Sequence, residues 1–217
     1  AVGFEGKLLH SNDCGVTWDF RQTDYKAFRD IYFLKNEMIL CGGSGFNHGI
    51  IYRLDMNENI LQRDTFANEL HALCFIDSLT GFCAGYGLIL KTTDAGKTWN
   101  TTSAQGDFFK SIQYADGKIV ALGNNGLLIY SDDEGDTWKK DLQSNNAFQF
   151  TNALNFLSIN NNQSFICGDN GKIFYNNSDK WLNLNSSLDI DFTASIFNDD
   201  KFYLTARDGK IYSGSLP

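Results

Sequence analysis

The side chains of this chain that could hold a metal ion or act as nucleophiles are five cysteines and three histidines. A structural metal site needs several such ligands at short, regular spacing. No two cysteines stand at that spacing and histidine is scarce, so we predict no metal site and no bound cofactor. The odd number of cysteines rules out complete intramolecular pairing. Three cysteines precede a glycine in equivalent segments, which predicts small buried packing residues: Cys41, Cys83 and Cys167.

A glycine-rich segment at residues 42–49 reads Gly-Gly-Ser-Gly-Phe-Asn-His-Gly. A phosphate-binding loop would need a lysine and a following helix, and this segment has neither. The segment is longer than the turns at comparable places in the chain. An insertion on one face is a common way for a repeat protein to acquire a binding function. We therefore predict this loop as the first candidate for ligand binding, with Phe46 and His48 as contact residues.

The elements that position these residues repeat every 38 to 45 residues. A period near 40 is typical of propeller blades or solenoid units. Each copy has a glycine that opens a short apolar strand, and there are six copies: Gly6, Gly49, Gly87, Gly126, Gly171 and Gly209.

Three of these strands are followed by the same turn, Ser/Thr-x-Asp-x-Gly-x-Thr-Trp. The aspartate can accept hydrogen bonds from turn amides, and the glycine can take a positive φ. We therefore assign the turns a structural role. A partial fourth copy spans residues 177–181 and ends at Trp181. The full copies contain Asp13, Gly15 and Trp18; Asp94, Gly96 and Trp99; and Asp133, Gly135 and Trp138.

Each repeat contains four predicted strands joined by short turns, most clearly over residues 109–139. We therefore predict an all-β fold, a β-propeller with six blades of four antiparallel strands and the aspartate turns between third and fourth strands. Residues 1–217 are predicted to form one domain. The first blade lacks its first strand and the last blade lacks its fourth, so we expect about 20 to 30 residues of native sequence before Ala1.

The strand glycines and the Asp-Gly-Thr-Trp turns together resemble the Asp-box (BNR) repeat superfamily, and in particular the photosystem II stability/assembly-factor-like propellers. The resemblance covers nearly the whole chain. It implies a propeller whose Asp boxes lie on turns away from the binding face. It also implies a protein client, although this chain has no counterpart of the arginine-rich patch that those factors are thought to present.

The same superfamily includes sialidases and some glucan hydrolases. Sialidases hold the substrate carboxylate with three arginines, whereas none of the five arginines here stands in the expected Arg-Ile-Pro context. Glucan hydrolases use two acidic residues across a cleft, and most acids of this chain belong to turns. We predict no catalytic residue, and the chain is more consistent with a non-enzyme.

The net charge of −8 and the pI near 4.8 argue against nucleic-acid binding, which depends on clustered lysine and arginine. No apolar run is long enough to predict a membrane span. The asparagine-rich composition with one proline is typical of a bacterial protein. The family resemblance implies a secreted or periplasmic location.

In propellers, ligands usually meet the face formed by the turns between second and third strands. Two functions remain open for this face. One is a non-catalytic platform for protein interaction or assembly. The other is a carbohydrate-binding or glycoside-hydrolase-like propeller, which would need two or more converging carboxylates flanked by aromatic rings. The residues predicted around this mouth are Phe46, His48, Tyr86, Asn125, Asp169 and Arg207.

Overall fold

A computed structural model describes residues 1–141, 153–160, 163–177, 180–198 and 201–216. The chain divides into two compact units, Ala1–Thr102 and Ser103–Pro217. Throughout the described ranges the regular structure is β-strand, apart from one 3-10 turn at Phe4–Gly6. No helix in these ranges is long and apolar enough to cross a membrane.

The first unit is built from short antiparallel strands. β1 pairs with β2, β3 to β6 form one sheet in chain order, and β7 pairs with β8. The strands are β1 (Lys7–His10), β2 (Asp19–Gln22), β3 (Ala27–Phe33), β4 (Glu37–Ser44), β5 (His48–Asp55), β6 (Ile60–Phe66), β7 (Leu70–Phe75) and β8 (Gly81–Thr92).

The second unit continues the same pattern. β9 (Asn100–Ala115) begins in the first unit and pairs with β10 in the second. The later strands pair with their neighbours in chain order within three groups: β10 to β12, β13 to β16 and β17 to β19. These strands are β10 (Lys118–Gly123), β11 (Leu128–Ser131), β12 (Lys139–Lys140), β13 (Leu154–Asn160), β14 (Gln163–Gly168), β15 (Ile173–Asn176), β16 (Trp181–Asn183), β17 (Phe192–Asn198), β18 (Lys201–Ala206) and β19 (Ile211–Ser215).

The predicted number of blades is wrong. The described residues form four sheets of three or more strands and the two-stranded β1–β2 ribbon, not six sheets of four strands. One reason is that β9 is uninterrupted over 16 residues and holds both the segment predicted to close one repeat and the segment predicted to open the next. The other is that the first repeat supplies only two assigned strands and the last supplies three.

A one-residue β-bulge recurs in the first strand of five repeats. In each case the residue after the strand-opening apolar position has no partner across the ladder. A bulge leaves one residue unpaired and changes the direction of its side chain. All five bulged residues are polar: Arg29, His71, Lys110, Asn155 and Thr193.

The glycine that follows Cys41 or Cys167 lies opposite the bulge of its own repeat. A Cβ added at Gly42 would stand 2.0 Å from the carbonyl oxygen of Ala27, and one at Gly168 would stand 2.3 Å from that of Ala153. No real Cβ contact is that short, so the close approach of the two strands requires glycine.

Each core cluster packs the strands of one repeat against those of the next within a unit. In the first unit, Cys41 and Ile51 pack with Leu70 and Cys83, and all four are fully or almost fully buried. In the second unit, Cys167 packs in a cluster that joins β13–β16 to β17–β19. The three cysteines therefore occupy packing positions, as the repeat predicted.

The three complete aspartate turns have matching hydrogen bonds and lie between the third and fourth strands of their repeats. In the second of them, the Thr98 backbone N–H and hydroxyl donate to Asp94 at 2.8 and 2.7 Å, and the Gly96 N–H donates to the Thr92 hydroxyl at 2.9 Å. The corresponding bonds hold Asp13 and Asp133. Of the partial fourth turn, residues 178 and 179 lie outside the described residues.

Candidate functional site

In the first unit, the structure brings two of the predicted face residues together. The ring centroids of Phe46 and Tyr86 are 5.0 Å apart at an interplanar angle of 43°. Both rings are accessible, with 54% and 44% of the residue surface exposed. An exposed pair of aromatic rings supplies a large, fairly rigid contact area to a ligand or a partner.

Glu69 holds both aromatic residues in place. Its carboxylate accepts the Phe46 N–H at 3.2 Å, and its backbone carbonyl accepts the Tyr86 N–H at 2.8 Å. The Glu69 N–H in turn donates to the Phe46 carbonyl at 2.9 Å. Since Glu69 directly precedes β7, the turns of two successive repeats are fixed to the start of one strand.

The Glu69 carboxylate is buried, with 5% of its side chain exposed, and Arg29 neutralises it. The Arg29 Nε and Nη2 atoms donate to Glu69 Oε1 at 3.0 and 2.8 Å. The bulge in β3 positions Arg29, and the exposed ring of Phe4 lies 5.2 Å from its guanidinium carbon. We name Phe4, Arg29, Phe46, Glu69 and Tyr86 the aromatic row.

The predicted loop at residues 42–49 is a tight turn in the structure. β4 extends to Ser44 and β5 begins at His48, and these two residues are paired. His48 contacts Asn47, with 2.8 Å between Nδ1 and the side-chain oxygen. The turn expected at Tyr86 falls inside β8, where Gly87 takes a φ of +75°.

In the second unit, Asn125 binds a buried carboxylate. Its side-chain amide donates to Asp107 Oδ1 at 2.8 Å and its backbone N–H donates to Oδ2 at 3.0 Å. Asp107 is 5% exposed and also accepts the N–H of Phe108. Asn125 therefore stabilises its own turn.

Asp169 and Arg207, the remaining predicted face residues, belong to one charged network. The Arg207 guanidinium lies 3.2 Å from Asp191 and 3.9 Å from Asp169. The side-chain amide of Asn155 donates to Asp169 at 2.6 Å, and Lys110 donates to Asn155 at 2.8 Å. Asp191 repeats the role of Glu69, because it caps an N–H of the preceding turn and its carbonyl accepts the N–H of its own turn.

Sequence reasoning missed the polar residues that hold these turns. Two of them, Arg29 and Asn155, are bulged. The signal was present, because apolar residues stand three apart across four of the five bulges, as in Leu154 and Leu157, where a regular strand would place them two apart. The acids Glu69 and Asp191 directly precede a first strand, and nothing local distinguishes them from turn acids.

No protein-family model and no curated protein matches the chain. Solved structures do match. One is YCF48, a photosystem II assembly factor, bound to a D1 peptide, with a TM-score of 0.69 and 16% identity over 99% of this chain and 73% of that chain. YCF48 from Cyanidioschyzon merolae has a TM-score of 0.65 and 17% identity over 86% and 66%. A chain of the mitotic checkpoint complex has a TM-score of 0.74 and 11% identity over 98% and 70%.

These identities are low, so the likeness shows the fold alone. The fold is an all-β propeller similar to that of YCF48. This chain spans about two thirds to three quarters of the length of the matching chains.

Proposed function

We propose that this protein is a non-catalytic propeller that binds a polypeptide partner or serves assembly, with the aromatic row as its contact surface. The Phe46–Tyr86 pair carries the proposal. Its rings are exposed, yet hydrogen bonds to Glu69 fix their backbone, so little conformational entropy is lost on binding. Exposed aromatic residues beside an arginine are typical of the residues that dominate protein interfaces.

The similar structures support a polypeptide as the ligand. One is YCF48 with a bound D1 peptide, and another is part of a mitotic checkpoint complex. Fold likeness by itself does not carry function across such low identity. The accessible, preorganised aromatic pair is what connects the fold to binding.

The carbohydrate-active alternative receives no support from the aromatic row. The carboxylate beside the aromatic pair, Glu69, is buried and paired with Arg29, so it is not available as a general acid or base. Asp169 and Asp191 do converge in the second unit, but both face Arg207 and accept hydrogen bonds. A carboxylate engaged in this way has a structural role.

A displayed peptide library, selected on the 217-residue chain, tests the proposal. We expect the Phe46→Ala/Tyr86→Ala variant to lose about tenfold or more in affinity for the selected peptides, since an aromatic hot spot contributes about 1–2 kcal/mol. The matched control is Phe33→Ala/Tyr114→Ala, whose rings are 58% and 45% exposed elsewhere. Equal affinities for the two double variants would rule out the aromatic row as the contact surface.

A glycan array run on the same proteins tests the alternative. A saccharide that binds the wild-type chain and not the Phe46→Ala/Tyr86→Ala variant would favour carbohydrate binding. We also propose a secreted or periplasmic location, on the family resemblance alone, and fractionation of the source cells would test it.

A further inference from the structure

A groove lies between two successive repeats of the first unit, at the β6 edge of its sheet. It encloses about 440 Å³, which is within the range of about 300–1,000 Å³ that small-ligand sites occupy. One wall is the end of β6, from Arg63 to Phe66, and the other is the end of the second aspartate turn, from Lys97 to Trp99. Both walls belong to the first unit.

The register of β6 decides which of its side chains face the groove. Asp64 lies directly across the ladder from Ile51, so the two side chains are on one face of the sheet. Ile51 belongs to a buried cluster against which Phe66 and Trp99 pack. Asp64 and Phe66 are two residues apart in the strand and therefore share that face. The groove thus contains one carboxylate and two aromatic rings.

The two basic residues of the walls leave this carboxylate without a counter-charge. Arg63 points to the opposite face of the sheet, where its Nε donates to Tyr52 Oη at 2.6 Å and its Nη2 donates to Asp24 at 3.3 Å. Lys97 is exposed, and its ammonium forms no ion pair within the described residues. Neither cation therefore neutralises Asp64.

A glutamine holds the carboxylate in place without neutralising it. Gln62 Nε2 donates to Asp64 Oδ2 at 2.6 Å and to the Lys97 carbonyl at 2.8 Å, so it also joins the two walls. Gln62 Oε1 accepts a hydrogen bond from Arg53 Nη1 at 2.9 Å, which fixes the orientation of the amide. In the part of the chain that the structure describes, Asp64 Oδ1 has no hydrogen-bond partner. One oriented acceptor atom therefore remains for a ligand.

The aromatic rings of the groove are held in place as well. Trp99 Nε1 donates to the Gly96 carbonyl at 3.1 Å, and the indole packs T-shaped against Phe75 with ring centroids 6.2 Å apart. Phe66 and Trp99 lie at the margin of the core cluster, and both are only partly buried. The face of an aromatic ring attracts a cation, most strongly in the case of tryptophan. Fixed rings beside a carboxylate without a counter-charge favour a cationic ligand.

We propose that this groove binds a primary alkylammonium group, with Asp64 Oδ1 as the acceptor and Phe66 and Trp99 as the aromatic contacts. Such a group has N–H donors for the carboxylate and an aliphatic stem for the rings. The net charge of −8 attracts cations toward the chain. The site is separate from the aromatic row and does not depend on the proposed function.

The first probe is butylammonium chloride, titrated into the isotope-labelled 217-residue chain while amide chemical shifts are recorded. We expect saturable shifts at Asp64, Phe66 and Thr98, with a Kd of about 1–10 mM for so small a ligand. Sodium chloride at the same concentration is the control for general screening of charge and should not reproduce these shifts.

Two variants test the assigned contacts. Asp64→Asn keeps the shape of the side chain and an acceptor for Gln62, and it should weaken binding about tenfold because the ligand loses a charged partner. Phe66→Leu keeps apolar bulk without a ring and should weaken binding about threefold. The matched control is Asp116→Asn, which removes an exposed acid in the second unit and should bind as the wild type does. Phe66→Leu keeps the proposal testable if Asp64→Asn does not fold.

A second probe, Nα-acetyl-lysine N-methylamide, identifies the source of the ammonium group. Binding at least as tight as that of butylammonium assigns the groove to a lysine side chain of a polypeptide. Binding of butylammonium alone assigns it to a small free amine. The Phe46→Ala/Tyr86→Ala protein should bind both probes as the wild type does, so failure of the proposed function leaves these results unchanged.

Four results would overturn the proposal. The first is an absence of shifts at about 50 mM butylammonium, beyond the weakest affinity expected. The second is equal affinity of the Asp64→Asn and Asp116→Asn variants. The third is the same shifts with sodium chloride. The fourth is binding that appears only in a Lys97→Ala variant, which would mean that the Lys97 ammonium itself fills the groove.

Discussion

Removing the Glu69 carboxylate should destabilise the first unit and release the Phe46 turn. The carboxylate is 5% exposed and accepts three hydrogen bonds, two from Arg29 and one from the Phe46 N–H. Removing one partner of a buried ion pair costs about 3–5 kcal/mol. Because 27% of the Arg29 side chain is exposed and partly hydrated, we expect Glu69→Ala to cost about 3 kcal/mol, at the lower end of that range.

The Glu69→Gln variant removes the charge of this side chain and nearly keeps its shape. The glutamine keeps one acceptor oxygen but turns an NH₂ group toward either Arg29 or the Phe46 N–H, both of which are donors. We expect a cost of about 2 kcal/mol, typical of losing a hydrogen bond to a charged group. Amide exchange at Phe46 should become faster, whereas exchange at Tyr86 should change less, because its N–H donates to the Glu69 backbone carbonyl.

Urea unfolding at constant m-value measures these changes in the free energy of unfolding. The Arg29→Ala/Glu69→Ala double variant should be less destabilised than the sum of the single variants by about 1–2 kcal/mol, since the two residues interact directly. Glu5→Ala is the control, because Glu5 forms an exposed ion pair with Lys7 and should change stability by less than about 0.5 kcal/mol. This account would be refuted if the changes in the free energy of unfolding of the two single variants simply added in the double variant. A Glu69→Ala change as small as that of the control would refute it as well.

Gly168→Ala should destabilise the chain by about 2–4 kcal/mol in the same unfolding assay, because its Cβ would stand 2.3 Å from the Ala153 carbonyl oxygen. Gly3→Ala, where a Cβ meets nothing within 4 Å, should be nearly neutral, and similar costs at both positions would contradict the close-approach argument. Native alkylation at pH 8, followed by intact mass, should modify Cys14 alone, because the other four thiols are buried and burial raises the pKa of Cys167 to about 12. Rapid modification of more than one cysteine without denaturant would show that the core opens readily. Hydrogen bonds from the threonine of each turn lower the pKa of Asp13, Asp94 and Asp133 to about 2. The stabilisation that these carboxylates give the folded chain is therefore present at neutral pH and is lost as pH falls from about 4 toward 2. The triple Asp→Asn variant should be less stable at pH 7 and lose less stability over that interval than the wild type, with Asp116→Asn as the control, and parallel pH curves would contradict this.

The repeat period predicted the strands and turns well because both depend on local chemistry. A glycine that can adopt positive φ and an aspartate that binds amides four residues away specify a turn within a few residues. Four of the six strand-opening glycines, Gly6, Gly126, Gly171 and Gly209, likewise precede the third strands of the structure, whereas Gly49 and Gly87 lie inside β5 and β8. The number of blades was wrong because sheet membership depends on whether a strand such as β9 continues, and a repeat period does not encode that.

The predicted face residues stay a prediction as a binding surface, although the structure brings two pairs of them together. Phe46 meets Tyr86, and Asp169 meets Arg207, each within one unit. His48 contacts the adjacent Asn47, and Asn125 binds Asp107 of β9. The organisation of residues 1–217 as one domain stays a prediction.

The sequence by itself determined the all-β class, the repeated strand order and the aspartate turns, since each follows from side-chain periodicity or from contacts within a few residues. The tertiary structure alone decided which side chains meet at the predicted face. Arg29 and Glu69 lie 40 residues apart in sequence and meet because a bulge turns Arg29 toward the next repeat. The sequence does not specify such long-range pairing because every repeat offers acids and bases, and only packing brings particular ones together and removes water from between them.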